Sequence, residues 1–166
     1  MYRAGEYVVY ADSGLCLVEQ VGVPDFNTSE KDRTYYFLRT TTDKSRIYVP
    51  TDTWLPLRPP MTAQEAERFL NGLEEIPVSL PERRDRKTVL QHYRNMLSTH
   101  TKEALAQTIK SIRFAHRGSI GRMSGVEEGV LRRAERQLCS ELSGVLNITM
   151  EEAGERLSRA LAVQAR

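Results

Sequence analysis

The chain has 166 residues, of which 40% are hydrophobic and 28% are charged, and its formal net charge is +2. This composition is ordinary for a globular protein of one domain or two small ones, and no apolar run approaches the ~18 residues that a transmembrane helix needs. The charge is uneven, because residues 81–120 carry nine basic and three acidic side chains. A local basic excess of this kind points to an anionic partner.

The N-terminal third of the chain has the sequence pattern of short β-strands. Residues 5–21, GEYVVYADSGLCLVEQV, hold two apolar runs around Asp12-Ser13-Gly14, which is typical of a hairpin with glycine at a positive φ. Alternation fails at Val8-Val9 and in the run from Leu15 to Val18, so both faces of this hairpin are expected to meet apolar groups. Further strand-like runs are RTYYFLRT and SRIYVP.

A proline-rich stretch divides the chain near residue 60. Pro56, Pro59 and Pro60 exclude a continuous helix or a central strand there. The sequence therefore predicts two domains, a β domain in residues 1–58 and a helical domain in residues 62–166, with residues 59–61 as a short, stiff joint.

Five helices are predicted after the joint. Three begin at capping boxes, in which a hydroxyl and a carboxylate three residues apart satisfy each other's backbone N–H groups: Thr62 to Glu65, Ser124 to Glu127 and Thr149 to Glu152. The other two, over about 84–97 and 101–116, follow from apolar residues at helical spacing.

Sequence signatures of catalysis and metal binding are missing. His92, His100 and His116 fit no metal-binding pattern, and neither a glycine-rich phosphate loop nor a nucleophile elbow occurs. Cys16 and Cys139 lie far apart and are expected to be buried free thiols of a reducing compartment. We therefore expect a cytoplasmic protein that is not an enzyme and has no cofactor, metal, membrane or small-molecule substrate; the N-terminus has no signal-peptide core.

The basic excess has two parts. On a helical wheel, Lys110, Arg113 and Arg117 share a side of the third helix with Lys102, and a second cluster lies at the start of the second helix, where the helix dipole disfavours cations. One interpretation is phosphate contact with DNA, weak and largely independent of sequence, and the other is a solvated basic face. The candidate DNA-binding residues are Arg83, Arg84, Arg86, Lys87, Lys110, Arg113 and Arg117.

The opening stretch, together with YYFLRT and RIYVPTD, resembles the N-terminal module of the CarD/CdnL family of bacterial transcription regulators. The same module is similar to the RNA-polymerase-interacting domain of the transcription-repair coupling factor. The segment MSGVEEGVLRRAERQLCSEL extends the resemblance into the helices. The matching residues of the β part are Gly5, Val8, Val9, Tyr10, Gly14, Tyr35, Tyr36, Leu38, Val49 and Pro50.

The resemblance implies a small Tudor-like or SH3-like antiparallel β-barrel followed by an all-helical domain. It further implies that the barrel binds the RNA polymerase β subunit, which would bring the protein to the nucleoid. The helices would contact promoter DNA near the upstream edge of the transcription bubble and modulate open-complex stability. The candidate polymerase-binding residues are Val23, Phe26, Arg46 and Tyr48, although Phe26 and Tyr48 could instead pack inside the barrel.

Two departures from the family pattern bear on DNA contact. Relatives carry a tryptophan wedge near the start of the second helix, where this chain has Arg86 or a neighbour, while Trp54 is expected to be a packing residue. Glu127 and Glu128 in the fourth helix are unfavourable for phosphate. Two other interpretations therefore stay open, a polymerase-bound adaptor whose helices bind another protein, and an RNA-binding barrel protein.

Overall fold

The computed structural model describes residues 1–11, 13–26, 32–52, 57–117 and 123–162. Asp12 of the predicted turn, Trp54 and Pro56 lie outside these ranges. The chain forms two compact units, Met1–Met61 and Thr62–Arg166. In the described ranges, no helix is long and apolar enough to cross a membrane.

The described residues of the first unit form a curled antiparallel sheet of five strands. The strands are β1 (Tyr7–Tyr10), β2 (Gly14–Gly22), β3 (Tyr35–Thr40), β4 (Arg46–Pro50) and β5 (Leu57–Arg58), in the order β4-β3-β2-β1-β5. The sheet is an open half-barrel, consistent with the predicted Tudor-like fold. The β1–β2 hairpin is confirmed, with Tyr10 opposite Gly14 and Gly14 at a φ of 73°.

The core of the first unit lies on one face of this sheet. It consists of Val8, Cys16, Val18, Tyr36, Leu38 and Val49. Between Val18 and Gln20 the β2–β3 register shifts by one residue, a β-bulge that lets Val21 oppose Tyr36 on the core face. Val9 and Leu15 pair across the hairpin on the other face and are also buried, which explains why apolar residues do not alternate there.

The second unit contains five α-helices among its described residues, as predicted. They are α1 (Ala63–Asn71), α2 (Arg86–Leu97), α3 (Lys102–Ala115), α4 (Gly125–Leu146) and α5 (Met150–Ala162), with a 3₁₀ turn at Leu73–Glu75. Thr62 and Thr149 form the predicted reciprocal capping boxes with Glu65 and Glu152. Ser124 caps α4 through its hydroxyl, but the Glu127 carboxylate takes other partners.

The helical core forms where α3 packs against α4 and α4 against α5. Val89 and Tyr93 of α2 join Ile112 of α3 and Val130 of α4 in one buried cluster. Farther along, Leu138, Leu142 and Leu157 are fully buried. Arg156 of α5 donates two hydrogen bonds to the Glu67 carboxylate of α1, at 2.9 and 2.5 Å.

Candidate functional site

Aromatic side chains cluster on the face of β3 and β4 that is opposite the core. Strand alternation places Phe37 and Tyr48 there as register partners, because their neighbours Tyr36 and Val49 point into the core. Tyr48 packs edge-to-face against Phe26 and against Phe37, with ring centroids 4.8 and 5.0 Å apart, and Phe26 also contacts Tyr35 at 6.5 Å. The rings therefore hold one another in a fixed arrangement outside the core.

Three of the predicted polymerase-binding residues, Phe26, Arg46 and Tyr48, lie at this aromatic face, and the fourth, Val23, directly follows β2. Val23, Phe26 and Tyr48 are 53%, 46% and 38% exposed, which is unusual for large apolar side chains. The interpretation that Phe26 and Tyr48 fill the core is therefore wrong for this sheet. β4 is last in the strand order, so among the described residues one of its edges has no neighbouring strand.

Arginines border the aromatic face. The Nε of Arg39 donates to the Glu19 carboxylate at the β-bulge, and its guanidinium also donates to the carbonyl of Lys44 at 3.0 Å. Hydrogen bonding from Arg39 is the main cause that lowers the pKa of Glu19. Arg46 lies 3.9 Å from the other oxygen of Glu19, with 64% of its side chain exposed. Most of the Arg46 side chain is thus accessible to a partner, whereas the Arg39 side chain is bound to Glu19 and to the carbonyl of Lys44.

The seven predicted DNA-binding residues do not form one surface. Arg83, Arg86 and Lys87 are exposed around the first turn of α2, where Asp85 caps the helix and lies 3.7 Å from Arg83. Arg117 is exposed as well, but its guanidinium lies 3.3 Å above the Phe114 ring. The other three, Arg84, Lys110 and Arg113, bind groups of the helical unit itself.

Lys110 corrects the helical-wheel prediction. Its side chain is only 3% exposed, and its ammonium donates to the carbonyls of Leu73 and Glu74, both at 3.0 Å, and to that of Ile76. Burial is the main cause that lowers the pKa of Lys110. The ammonium therefore caps the carbonyl end of the 3₁₀ turn and does not contact phosphate.

Arg84 and Arg113 are ion-paired. Arg84 donates to both oxygens of Glu127 at 3.0 Å, and Arg113 donates to Glu135 at 2.5 Å and to the Ser158 hydroxyl at 3.3 Å. Their positive charges are thus largely compensated within the helical unit.

The carboxylate of Glu127 is buried, with the residue 2% exposed, and three side chains form hydrogen bonds with its oxygens. His116 Nε2 lies 2.8 Å from one oxygen and the Ser124 hydroxyl donates to the other at 3.0 Å, in addition to the bonds from Arg84. Burial by itself would raise the pKa of Glu127, but the hydrogen bonds from His116, Arg84 and Ser124 hold that pKa below its usual value. Of the two acidic residues expected to disfavour phosphate on α4, Glu127 is thus buried, and Glu128 is the one that is exposed.

Sequence reasoning missed three exposed arginines on α4, Arg132, Arg133 and Arg136. The charge count hid them, because the acidic residues of the same segment balance them. Their spacing of three and four residues on one helix face was the available signal.

Reactive and metal-binding groups are scarce in the described part of the chain. Cys16 and Cys139 are buried free thiols, as expected, and burial raises the pKa of each to about 11. Within those same residues, no cluster of three or more His, Cys, Asp or Glu side chains is placed to hold a metal ion.

Comparison with protein families gives a match to the first unit. Residues 2–59 match the family described as the CarD-like/TRCF RID domain. The match ends at residue 59, within the first compact unit Met1–Met61, and does not extend into the helices. A comparison with curated proteins finds no match to this chain.

Proposed function

Because residues 2–59 make this chain a CarD-like/TRCF RID-containing protein, we propose that it is a bacterial transcription regulator without enzymatic activity. The β unit binds the β subunit of RNA polymerase, and the helical unit contacts promoter DNA near the upstream edge of the bubble and modulates open-complex stability. The domain match is the observation that carries this proposal, and it supports an RNA-polymerase-interacting, transcription-related protein.

The aromatic face supports the polymerase contact chemically. Exposed Phe26 and Tyr48, already locked edge-to-face, offer apolar area at little cost in side-chain entropy. Arg46 beside them is mostly exposed and can pair with a carboxylate of the partner. Aromatic residues and arginine are the types that dominate binding energy at protein interfaces.

Two substitutions, a charge reversal at Arg46 and a truncation at Tyr48, test this contact. We expect Arg46→Glu and Tyr48→Ala to weaken binding of the full chain to RNA polymerase core enzyme by about tenfold or more, the range of interface hot spots. The matched control is Arg3→Glu, at another exposed arginine of the same unit. Affinity is measured by biolayer interferometry, and circular dichroism checks the fold. If both variants bind like the Arg3→Glu control, the aromatic face is not the polymerase site.

The DNA contact is supported by three exposed cations at the start of α2, Arg83, Arg86 and Lys87, whereas Arg84 is exposed as well but is bound to Glu127. If about four phosphates are contacted, log K should fall against log salt with a slope of about −3.6. We expect Arg86→Ala with Lys87→Ala to reduce this slope and to shorten the open-complex lifetime without weakening polymerase binding. Arg68→Ala, at an exposed arginine of α1, is the matched control and should change neither quantity.

A protein–protein adaptor is the second candidate. It is favoured by the internal use of Arg84, Lys110 and Arg113, which leaves fewer cations for phosphate than the sequence suggested. In that case the full chain would bind polymerase but show no salt-dependent affinity for DNA.

A further inference from the structure

The segment that leads into α2 is attached to the rest of the helical unit by one arginine. Arg84 lies two residues before the helix begins, and its guanidinium donates to both oxygens of Glu127 on α4 at 3.0 Å. Within the described residues, the hydrogen bonds and ion pairs that join residues 83–85 to another helix are all made by Arg84. The position of this segment therefore depends strongly on the Arg84 side chain.

The carboxylate that binds Arg84 is itself fixed by its surroundings. Glu127 is 2% exposed, accepts a hydrogen bond from the Ser124 hydroxyl at 3.0 Å, and has His116 Nε2 at 2.8 Å. One turn farther along α4, Val130 packs in a buried cluster with Tyr93 of α2. The Glu127 carboxylate is thus a fixed point on α4 beside the part of α2 that packs there.

Two exposed cations follow directly after the anchored segment. Arg86 and Lys87 are the first two residues of α2, and both are exposed. In the described part of the chain, no carboxylate lies within ion-pair distance of either side chain. Their charges are therefore available to a partner, and the place from which they reach out is set by the position of the first turn.

We infer that Glu127 is a positioning residue for the proposed DNA contact, because it holds Arg84 and thereby fixes the turn that presents Arg86 and Lys87 to phosphate. The inference rests on the proposed function, and it gives Glu127 no contact with DNA. Side chains that bind a partner need supporting residues that hold them to within about 0.5 Å of the productive geometry. A buried carboxylate with several hydrogen-bond partners provides such support.

The charge of Glu127 makes this role testable. A carboxylate near exposed cations lowers the local positive potential and by charge alone disfavours phosphate. Removing that charge should therefore strengthen DNA binding if Glu127 acts only through electrostatics, and should weaken DNA binding if Glu127 positions the cations. The two explanations predict effects of opposite sign.

Glu127→Gln is the decisive variant, because it removes a negative charge and leaves every cation of the chain in place. The full chain is titrated into a short fluorescent DNA duplex, and anisotropy measures its affinity between about 50 and 200 mM salt. Charge alone predicts a slope of log K against log salt that is unchanged or steeper. We expect instead that the magnitude of the slope falls by about 1.8, as for the loss of two phosphate contacts.

Glu67→Gln is the matched control for a loss of stability. It also removes one carboxylate from an ion pair between two helices, since Glu67 of α1 accepts from Arg156 of α5 at 2.9 and 2.5 Å, and α2 takes no part in that pair. It should leave the salt slope at the wild-type value. Circular dichroism and urea unfolding check that each variant is folded at the temperature of the assay.

Arg84→Gln decides the question if Glu127→Gln does not fold, because the Arg84 side chain is 51% exposed and its replacement disturbs the interior less. A phosphate contact made by Arg84 itself accounts for a fall of at most about 0.9 in the magnitude of the slope. The positioning role predicts a larger fall, since Arg86 and Lys87 are displaced as well. A fall of 0.9 or less, as for that single contact, would contradict the positioning role.

An unchanged or steeper slope in folded Glu127→Gln, or an equal fall in Glu67→Gln, would overturn the inference. If Arg86→Ala with Lys87→Ala reduces the slope and Glu127→Gln does not, the proposed DNA contact stands and the positioning role fails. If the wild-type chain shows no salt-dependent binding, the proposed DNA contact and the positioning role fail together.

Discussion

Glu127 holds three segments of the helical unit together through one side chain. Its carboxylate binds Arg84 before α2, His116 at the end of α3 and the Ser124 hydroxyl at the start of α4. The sequence predicted only the local part of this arrangement, the cap at Ser124. The distant partners lie 43 and 11 residues away in sequence, and no local pattern encodes them.

We expect Glu127→Gln to lower the free energy of unfolding at pH 7 by about 2 kcal/mol, because the variant loses charged hydrogen bonds that the buried carboxylate accepts from Arg84, His116 and Ser124. The pKa of Glu127 is lowered in the folded state, so its stabilising effect is present at neutral pH and is lost as the pH falls through the acidic carboxyl range. Urea unfolding at pH 7 and at about pH 3 measures both effects.

Glu128→Gln is the control for that prediction, since Glu128 is adjacent and exposed. It should leave unfolding at both pH values nearly unchanged. Equal unfolding free energies for the two variants would contradict a stabilising role for the buried carboxylate. If the free energy of unfolding of Glu127→Gln fell between the two pH values as much as that of the wild type, groups other than Glu127 would cause the acid sensitivity.

At the level of secondary-structure elements, capping and periodicity predicted all five helices because both are local signals. They failed for β5, where Leu57–Arg58 pairs with Val9 and Tyr10 as a short edge strand next to prolines. They also failed for Lys110, because the carbonyls that it binds belong to a 3₁₀ turn 34 to 37 residues earlier. A helical wheel shows which side of a helix a residue occupies, but it cannot show what packs there.

The predictions of the candidate sites also succeeded where local patterns sufficed and failed where tertiary packing decided. Strand alternation implied that Tyr48 and Val49 point to opposite faces, and the exposed aromatic face follows from that rule. The basic excess of residues 81–120 was real in the sequence, yet its meaning depended on tertiary partners for Arg84, Lys110 and Arg113. Net charge over a segment likewise concealed the α4 arginines, because charge counts ignore which side of a helix carries each residue.

For the whole molecule, the two compact units have separate hydrophobic clusters, and the family match covers one unit alone. The first unit therefore has the elements of an independent domain, a continuous sheet and its own core. Its size implies marginal stability, since a chain of about 60 residues buries a smaller share of its surface than a larger domain.

We expect residues 1–61 expressed alone to fold and to bind RNA polymerase core enzyme with an affinity close to that of the full chain. Dispersed amide resonances in a ¹H–¹⁵N spectrum measure folding, and interferometry measures binding. The Arg46→Glu form of the fragment is the control and should fold without binding. Collapsed amide dispersion in the wild-type fragment would show that the first unit needs the helices.

The β-bulge at Glu19 makes strand β2 one residue longer than its partner requires. Every position after it depends on that extra residue, because Gln20 and Val21 would exchange faces without it. Evolution can therefore replace Glu19 more easily than delete it. An alignment of this chain with a relative that lacks the bulge must open a one-residue gap inside β2, and an ungapped alignment would equate core residues with surface residues from Gln20 to the end of the strand.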